Sequence, residues 1–122
     1  MPTTTEVIAA YMAAWNEPDA GKRMALLEQS WADDGVYIDP LADVKGRDGL
    51  SDTIAGFHAQ QPGASIAIAS GIDQHHNQIR FRWDFIGADG KVAVAGIDVG
   101  EIAPDGRLAR ITGFWADPPP KA

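Results

Sequence analysis

Two aspartates sit in runs that are otherwise apolar. Val36-Tyr-Ile-Asp-Pro40 alternates, ends on Asp39 and is stopped by proline, and Val92-Ala-Val-Ala-Gly-Ile-Asp-Val-Gly-Glu-Ile102 carries Asp98 in its middle. An ionised carboxylate in an apolar strand is strongly disfavoured unless it is paired or hydrogen-bonded. Two of them in a chain of 122 residues point to an acid/base pocket. There, one carboxylate takes a proton from carbon while a second, kept neutral, donates to the oxygen that gains charge. Each acid also has a plainer reading. Asp-Pro is a common start of a turn, and Asp98 could be a structural acid bonded to backbone or to an arginine.

The elements that must position these acids are legible from periodicity. Thr3-Thr-Thr-Glu6 has the spacing of a capping box, with Thr3 as N-cap and Glu6 reaching back. Val7, Ile8, Tyr11, Met12 and Trp15 then recur at helical spacing along one stripe. Asn16-Glu-Pro-Asp-Ala-Gly21 ends that helix, and a second is expected from about Lys22 to Trp31, burying Met24, Leu27 and Trp31. Asp33-Asp-Gly35 reads as a turn before the Tyr37/Asp39 strand, and Leu41 to Gly46 as a loop. A third helix from about Arg47 sets Leu50, Ile54 and Phe57 on one face and stops at Gln61-Pro-Gly63.

Beyond that point the pattern becomes strand-like. Ile66, Ile68 and Ile72 alternate with smaller residues, Asp73 to Asn77 reads as a polar turn, and Ile79, Phe81, Trp83 and Phe85 share one side of the next strand. Asp89-Gly90 and Asp105-Gly106 are hairpin signals that bound the strand over 92–102 and open the last one, over 107–115. Three helices followed by a meander of strands make an α+β order in a single domain over 1–122.

Strand parity adds a surface. Asp98 shares its face with Gly96 and Gly100, which would enlarge a pocket there or loosen the strand, while Ile97 and Val99 point the other way. Along the last strand, Ala109, Ile111, Gly113 and Trp115 oppose Leu108, Arg110, Thr112 and Phe114. Helices can cover only one side of such a sheet, and a solvated side should read polar. Ile97, Val99, Leu108 and Phe114 are therefore expected to form the outer-face surface of a homodimer.

Composition excludes several classes. The net charge is −7 and the ten basic residues are scattered, which argues against nucleic acid and anionic membrane as partners. No cysteine is present, so thiolate chemistry and disulfides are out. No secretion signal or bilayer-spanning run is recognisable, which reads as a cytoplasmic protein. His75 and His76 are adjacent and diverge in a turn or strand, and His58 lies elsewhere, so no metal and no cofactor are expected. Gly46-Arg-Asp-Gly49 lacks the spacing and lysine of a phosphate loop, and no nucleophile elbow appears.

Trp31-Ala-Asp-Asp34, Tyr37-Ile-Asp-Pro40, Gly46-Arg-Asp48, Ile97-Asp-Val99, Asp105-Gly-Arg107 and Phe114-Trp115, in this order, carry a family resemblance. The chain resembles the nuclear transport factor 2-like superfamily, which includes ketosteroid isomerases, SnoaL-type polyketide cyclases and scytalone dehydratase. The resemblance implies a cone-like, curved antiparallel sheet packed against three early helices. It implies Asp39 as the proton-shuttling base, Asp98 as a protonated acid of the oxyanion hole, and Trp115 as a pocket tryptophan near the base. Tyr11 is the counterpart of the oxyanion-hole tyrosine if a few residues are inserted between the first two helices; an ungapped reading puts Trp15 there. Tyr11 also reads simply as a core residue of an amphipathic helix. Tyr37, Phe81, Trp83, Phe85 and Ile111 are expected to complete the substrate-binding wall with Trp15 and Trp115.

The implied function is a cofactor-independent isomerase or cyclase that moves a proton next to the carbonyl of a small apolar substrate. The alternative is a non-catalytic, dimeric ligand-binding or accessory domain. Epoxide hydrolysis, also found in this fold, would need an Asp-Arg-Asp set, and no arginine has the pocket-facing parity.

Overall fold

The computed structural model describes residues 2–122. Helix α1 spans Thr4–Trp15 and is capped by Thr3, whose Oγ1 accepts from the Glu6 N–H at 3.1 Å. Only half of the expected capping box forms, because the Thr3 hydroxyl donates to Glu6 Oε1 and the carboxylate does not reach back to the cap N–H. Helix α2, Ala20–Ser30, starts earlier than its periodicity suggests, since the Asp19 carboxylate accepts from the Lys22 N–H at 2.8 Å and caps it. It also ends sooner. Trp31 is already extended, with φ −121° and ψ 126°.

Strand β1 runs over Trp31–Asp39 and absorbs the expected turn at Asp33–Gly35. Gly35 has a packing role there, because a Cβ would lie 2.6 Å from Cε2 of the fully buried Trp31. Pro40 and Leu41 then reverse the chain into β2, Ala42–Lys45, which pairs antiparallel with β1 where a loop was expected. Helix α3, Gly46–Gln60, buries Leu50 and Ile54 and half-buries Phe57.

Strands β3 (Ser65–Ile68) and β4 (Asp73–His75) both pair with β5 (Gln78–Ile86), one at each end of it. The polar segment expected as a turn thus narrows to His76 and Asn77, with His76 at φ 53°. Strands β6 (Val92–Ile102) and β7 (Leu108–Trp115) continue the meander. The order is β2-β1-β7-β6-β5-β3, and the β1–β7 pair is parallel. The expected wholly antiparallel sheet is therefore mixed. Nothing inside either strand's residue pattern distinguishes the two pairings.

All three helices cover one face. Val7, Ile8 and Tyr11 of α1, Leu27 of α2 and Ile54 of α3 pack with Ile79, Phe81 and Ile111 in one core. Two polar contacts tie the rim of this layer. Asn16, capping the C-terminus of α1, donates to the Ile66 carbonyl at 2.7 Å and accepts from the Ile66 N–H at 2.8 Å, as a neighbouring strand would. His58 Nε2 lies 2.6 Å from the Trp15 carbonyl and joins α3 to the end of α1.

The outer face partly corrects the parity reading. Ile97 lies directly opposite Phe114, and Val99 and Phe114 are exposed. Leu108, however, is fully buried on the core side. A register irregularity between Glu101 and Ile102 lets Glu101 pair with Arg110 and Ile102 with Leu108, so Ala109 drops out of the alternation and Leu108 turns inward. No described helix is long and apolar enough to cross a membrane.

Candidate active site

A cavity of about 790 Å³ opens between the concave sheet face and helices α1 and α3. Asp39, Asp98, Tyr11, Tyr37, Trp15 and Trp83 all line it, and among the described residues no lysine, arginine or histidine does. The two acids come from different strands, and the strand between them decides their spacing. Asp98 on β6 lies opposite Gly113 on β7, and β1 runs along the other side of β7. A Cβ on Gly113 would be 3.0 Å from Asp98 Oδ1 and 3.5 Å from Asp39 Cβ. Glycine keeps the gap between the two side chains open.

Each acid has its own donor. The Tyr37 hydroxyl donates to Asp39 Oδ2 at 2.7 Å, and the Leu41 N–H donates to Oδ1 at 2.8 Å. Tyr37 and Asp39, two apart on one strand, share a face, which is why they meet. The turn reading and the pocket reading of Asp39 are thus both realised, one oxygen holding the Pro40–Leu41 turn and the other bonded to Tyr37. Asp98 is 6% exposed and accepts from the Trp83 indole N–H at 3.0 Å on Oδ1. Its partner is neither backbone nor arginine.

Burial governs the electrostatics. It pushes the Asp98 carboxyl up to about 7; the Trp83 hydrogen bond opposes this and the negative charge of Asp39 adds to it. Burial likewise holds the Tyr11 phenol well above its ordinary value, with the charge of Asp98 adding and the nearby Trp15 indole opposing. The Tyr37 phenol is driven far up by burial, then by Tyr11 and the two acids. Both tyrosines therefore stay protonated donors. Among the described residues, the buried Tyr11 hydroxyl has no hydrogen-bond partner. Leaving such a group unsatisfied costs about 1–3 kcal/mol.

A family model for the SnoaL-like domain matches residues 8–111. The chain belongs to the SnoaL-like family. A solved SnoaL-like family protein from Agrobacterium tumefaciens, provisionally an isomerase, is 34% identical, with a TM-score of 0.85 over 91% of this chain and 95% of that one. A cystatin-like fold protein from Methylobium petroleophilum is 20% identical (TM-score 0.76, 98% and 83% covered). A nuclear transport factor 2-like protein from an Exiguobacterium species is 16% identical (TM-score 0.72, 92% and 99% covered); both are of unknown function and share the fold. No curated protein matches.

In this SnoaL-like protein, most residues singled out from the sequence converge. Tyr11 and Trp15 both line the cavity, one turn apart on α1. Phe85 and Trp115 also line it, although Trp115 lies beyond the family match and is 42% exposed. Phe81 and Ile111 do not line the cavity. They are buried at 2% and 0% in the core.

Gly96 and Gly100 do not enlarge the site either. The Trp83 indole occupies the space a Cβ on Gly96 would need, and Ile111 Cδ1 lies 2.7 Å from where one on Gly100 would be. Asp43, Phe57 and Val94 line the cavity and were not singled out from the sequence. Phe57 was signalled by its place on the apolar stripe of α3, whereas Asp43 lay in a segment read as loop. His75 and His76 bring their Nδ1 atoms to 3.1 Å on the exposed β4–β5 hairpin and do not line the cavity. Among the described residues, no three histidine, cysteine, aspartate or glutamate side chains gather as a metal centre.

Proposed function

We propose that this cavity transfers a proton between carbons next to a carbonyl, in a small, mostly apolar compound, without a cofactor. The observation that carries the reading is the buried, partnerless Tyr11 hydroxyl beside an acid whose carboxyl titrates at about 7. Below neutrality, two donors are then available to one substrate oxygen. Asp39 removes the α-proton, the C–H electron pair becomes a carbon–carbon π bond while the carbonyl π pair moves onto oxygen, and the enolate receives hydrogen bonds from Tyr11 and neutral Asp98. In a substrate whose α-carbon is followed by a carbon–carbon double bond, the proton on Asp39 then returns to the far carbon of that double bond, which shifts into conjugation with the restored carbonyl. Provisional assignment of the Agrobacterium relative as an isomerase supports this class.

The test titrates substituted phenols, whose phenolates mimic an enolate oxygen, against wild type and Asp39→Asn. Trp15, Trp83 and Trp115 line the cavity, so indole fluorescence reads occupancy. Binding should strengthen in Asp39→Asn, where a repelling negative charge is gone. For a phenol acidic enough to stay ionised on both sides of neutrality, binding should weaken as pH rises through about 7, because Asp98 then loses the proton it donates. Phenols that bind neither form would favour the second reading, a ligand-binding or accessory domain. That reading draws on Asp39, whose two oxygens are both already engaged.

We further propose a cytoplasmic homodimer that buries the outer sheet face around Ile97, Val99 and Phe114, with Arg82 and Arg80 on β5 beside Ile97 and Val99. The exposure of Val99 and Phe114 supports it. Sedimentation at micromolar concentration should give a dimer, and Phe114→Asp should convert it to a monomer; a wild-type monomer overturns this.

A further inference from the structure

We propose that Trp83 is a positioning residue that decides which oxygen of Asp98 carries its proton and presents it to the cavity. The inference rests on the reading above, in which neutral Asp98 donates to a substrate oxygen. An indole N–H can only donate. It lies 3.0 Å from Asp98 Oδ1, and both side chains are buried, so Oδ1 must accept. A proton on Oδ1 would face the indole hydrogen, leaving Oδ2 as the oxygen that bears the O–H. Among the described residues no other donor reaches this carboxyl.

The neighbouring strands are built around this contact. Trp83 on β5 lies directly across from Gly96 on β6, two residues before Asp98. A Cβ on Gly96 would collide with the indole ring and sit 2.6 Å from the Phe114 carbonyl oxygen. The glycine leaves the ring room beside β6 to reach the carboxyl. Gly113, opposite Asp98 on β7, lacks the Cβ that would lie 3.0 Å from Oδ1 and so leaves room for that oxygen beside the indole. Oδ1 is thus held by Trp83.

The same hydrogen bond acts on the titration. A donor to the carboxylate favours its charged form and opposes the upward push of burial. The titratable groups that act on Asp98 are Asp39 and Tyr37 on β1 and Tyr11 on α1, Asp43 on β2 lines the same cavity, and among the described residues no basic side chain does. Trp83 therefore holds the acid near neutrality.

The experiment follows the carbon-13 resonance of the Asp98 carboxyl against pH in wild type and Trp83→Phe. The wild-type midpoint is expected near 7. In the variant it should move upward by roughly one pH unit, since a charge-assisted hydrogen bond is worth that much. A folded variant whose midpoint stays or falls overturns the proposal. A second measurement does not depend on Trp83→Phe folding. The wild-type Trp83 Nε1–H resonance should titrate with the Asp98 midpoint and lose that step in Asp98→Asn; an indole resonance indifferent to pH overturns the proposal. Failure of the enolate reading shows itself separately, as phenols that do not bind while the Trp83–Asp98 coupling persists.

Discussion

Asp39→Asn is expected to abolish proton exchange while leaving the fold intact. Exchange of α-protons of small cyclic ketones into deuterium oxide, followed by NMR, should fall by about a thousandfold, the contribution of a well-placed general base. The amide has no basic lone pair at neutral pH, yet its size and hydrogen-bonding pattern nearly match. Its carbonyl oxygen can still accept from the Leu41 N–H, which holds the turn after β1, and its NH2 can donate to the Tyr37 oxygen. The thermal midpoint should therefore stay within about 4 °C, the shift that roughly 1 kcal/mol produces in a domain of this size. A variant that exchanges protons at the wild-type rate removes Asp39 from the chemistry. One that unfolds instead makes Asp39 a structural acid of the Pro40–Leu41 turn.

Gly96→Ala should lower stability by about 2 kcal/mol, within the range for overpacked cores, and the midpoint by roughly 8 °C. The added methyl meets the Trp83 ring on one side and lies 2.6 Å from the Phe114 carbonyl oxygen on the other. The indole can swing away, but only by giving up Asp98 Oδ1 and leaving a buried acceptor unsatisfied. Backbone on β7 cannot move without disturbing the β6–β7 ladder, in which Gly96 pairs with Trp115. Gly56→Ala is the matched control. Nothing lies within 4 Å of a Cβ at Gly56, which is inside α3, so the same chemical change should raise stability by about 0.5–1 kcal/mol. Opposite signs for the two variants would tie the Gly96 effect to the Trp83 contact; a neutral Gly96→Ala would show that the indole moves freely.

Several features were legible because they depend only on near neighbours in the chain. The stripe of α1, the Thr3 cap and the shared face of Tyr37 and Asp39 follow from periods of 3.6 and 2 within one element. The same alternation placed Asp98 inward and Ile97 and Val99 outward. It failed at Leu108, where a strand irregularity shifts parity by one residue, and at Asp33–Gly35, where turn-forming residues stay in a strand. There the reason for glycine is the Trp31 ring above it.

By itself, then, the sequence determined an α+β domain of three helices and a β meander, a pair of acids in apolar strands, and the inward direction of each. Its motifs also identified the family. The tertiary structure alone decided what surrounds those acids. The parallel pairing of β1 with β7 places Asp39 and Asp98 on either side of Gly113, and the packing of α1 on the sheet buries the Tyr11 hydroxyl in their cavity. The register of β5 on β6 then lays Trp83 over Gly96 and onto Asp98. Pairing partner, register and bulge are settled by contacts between residues far apart in the chain. No period within a single strand encodes them.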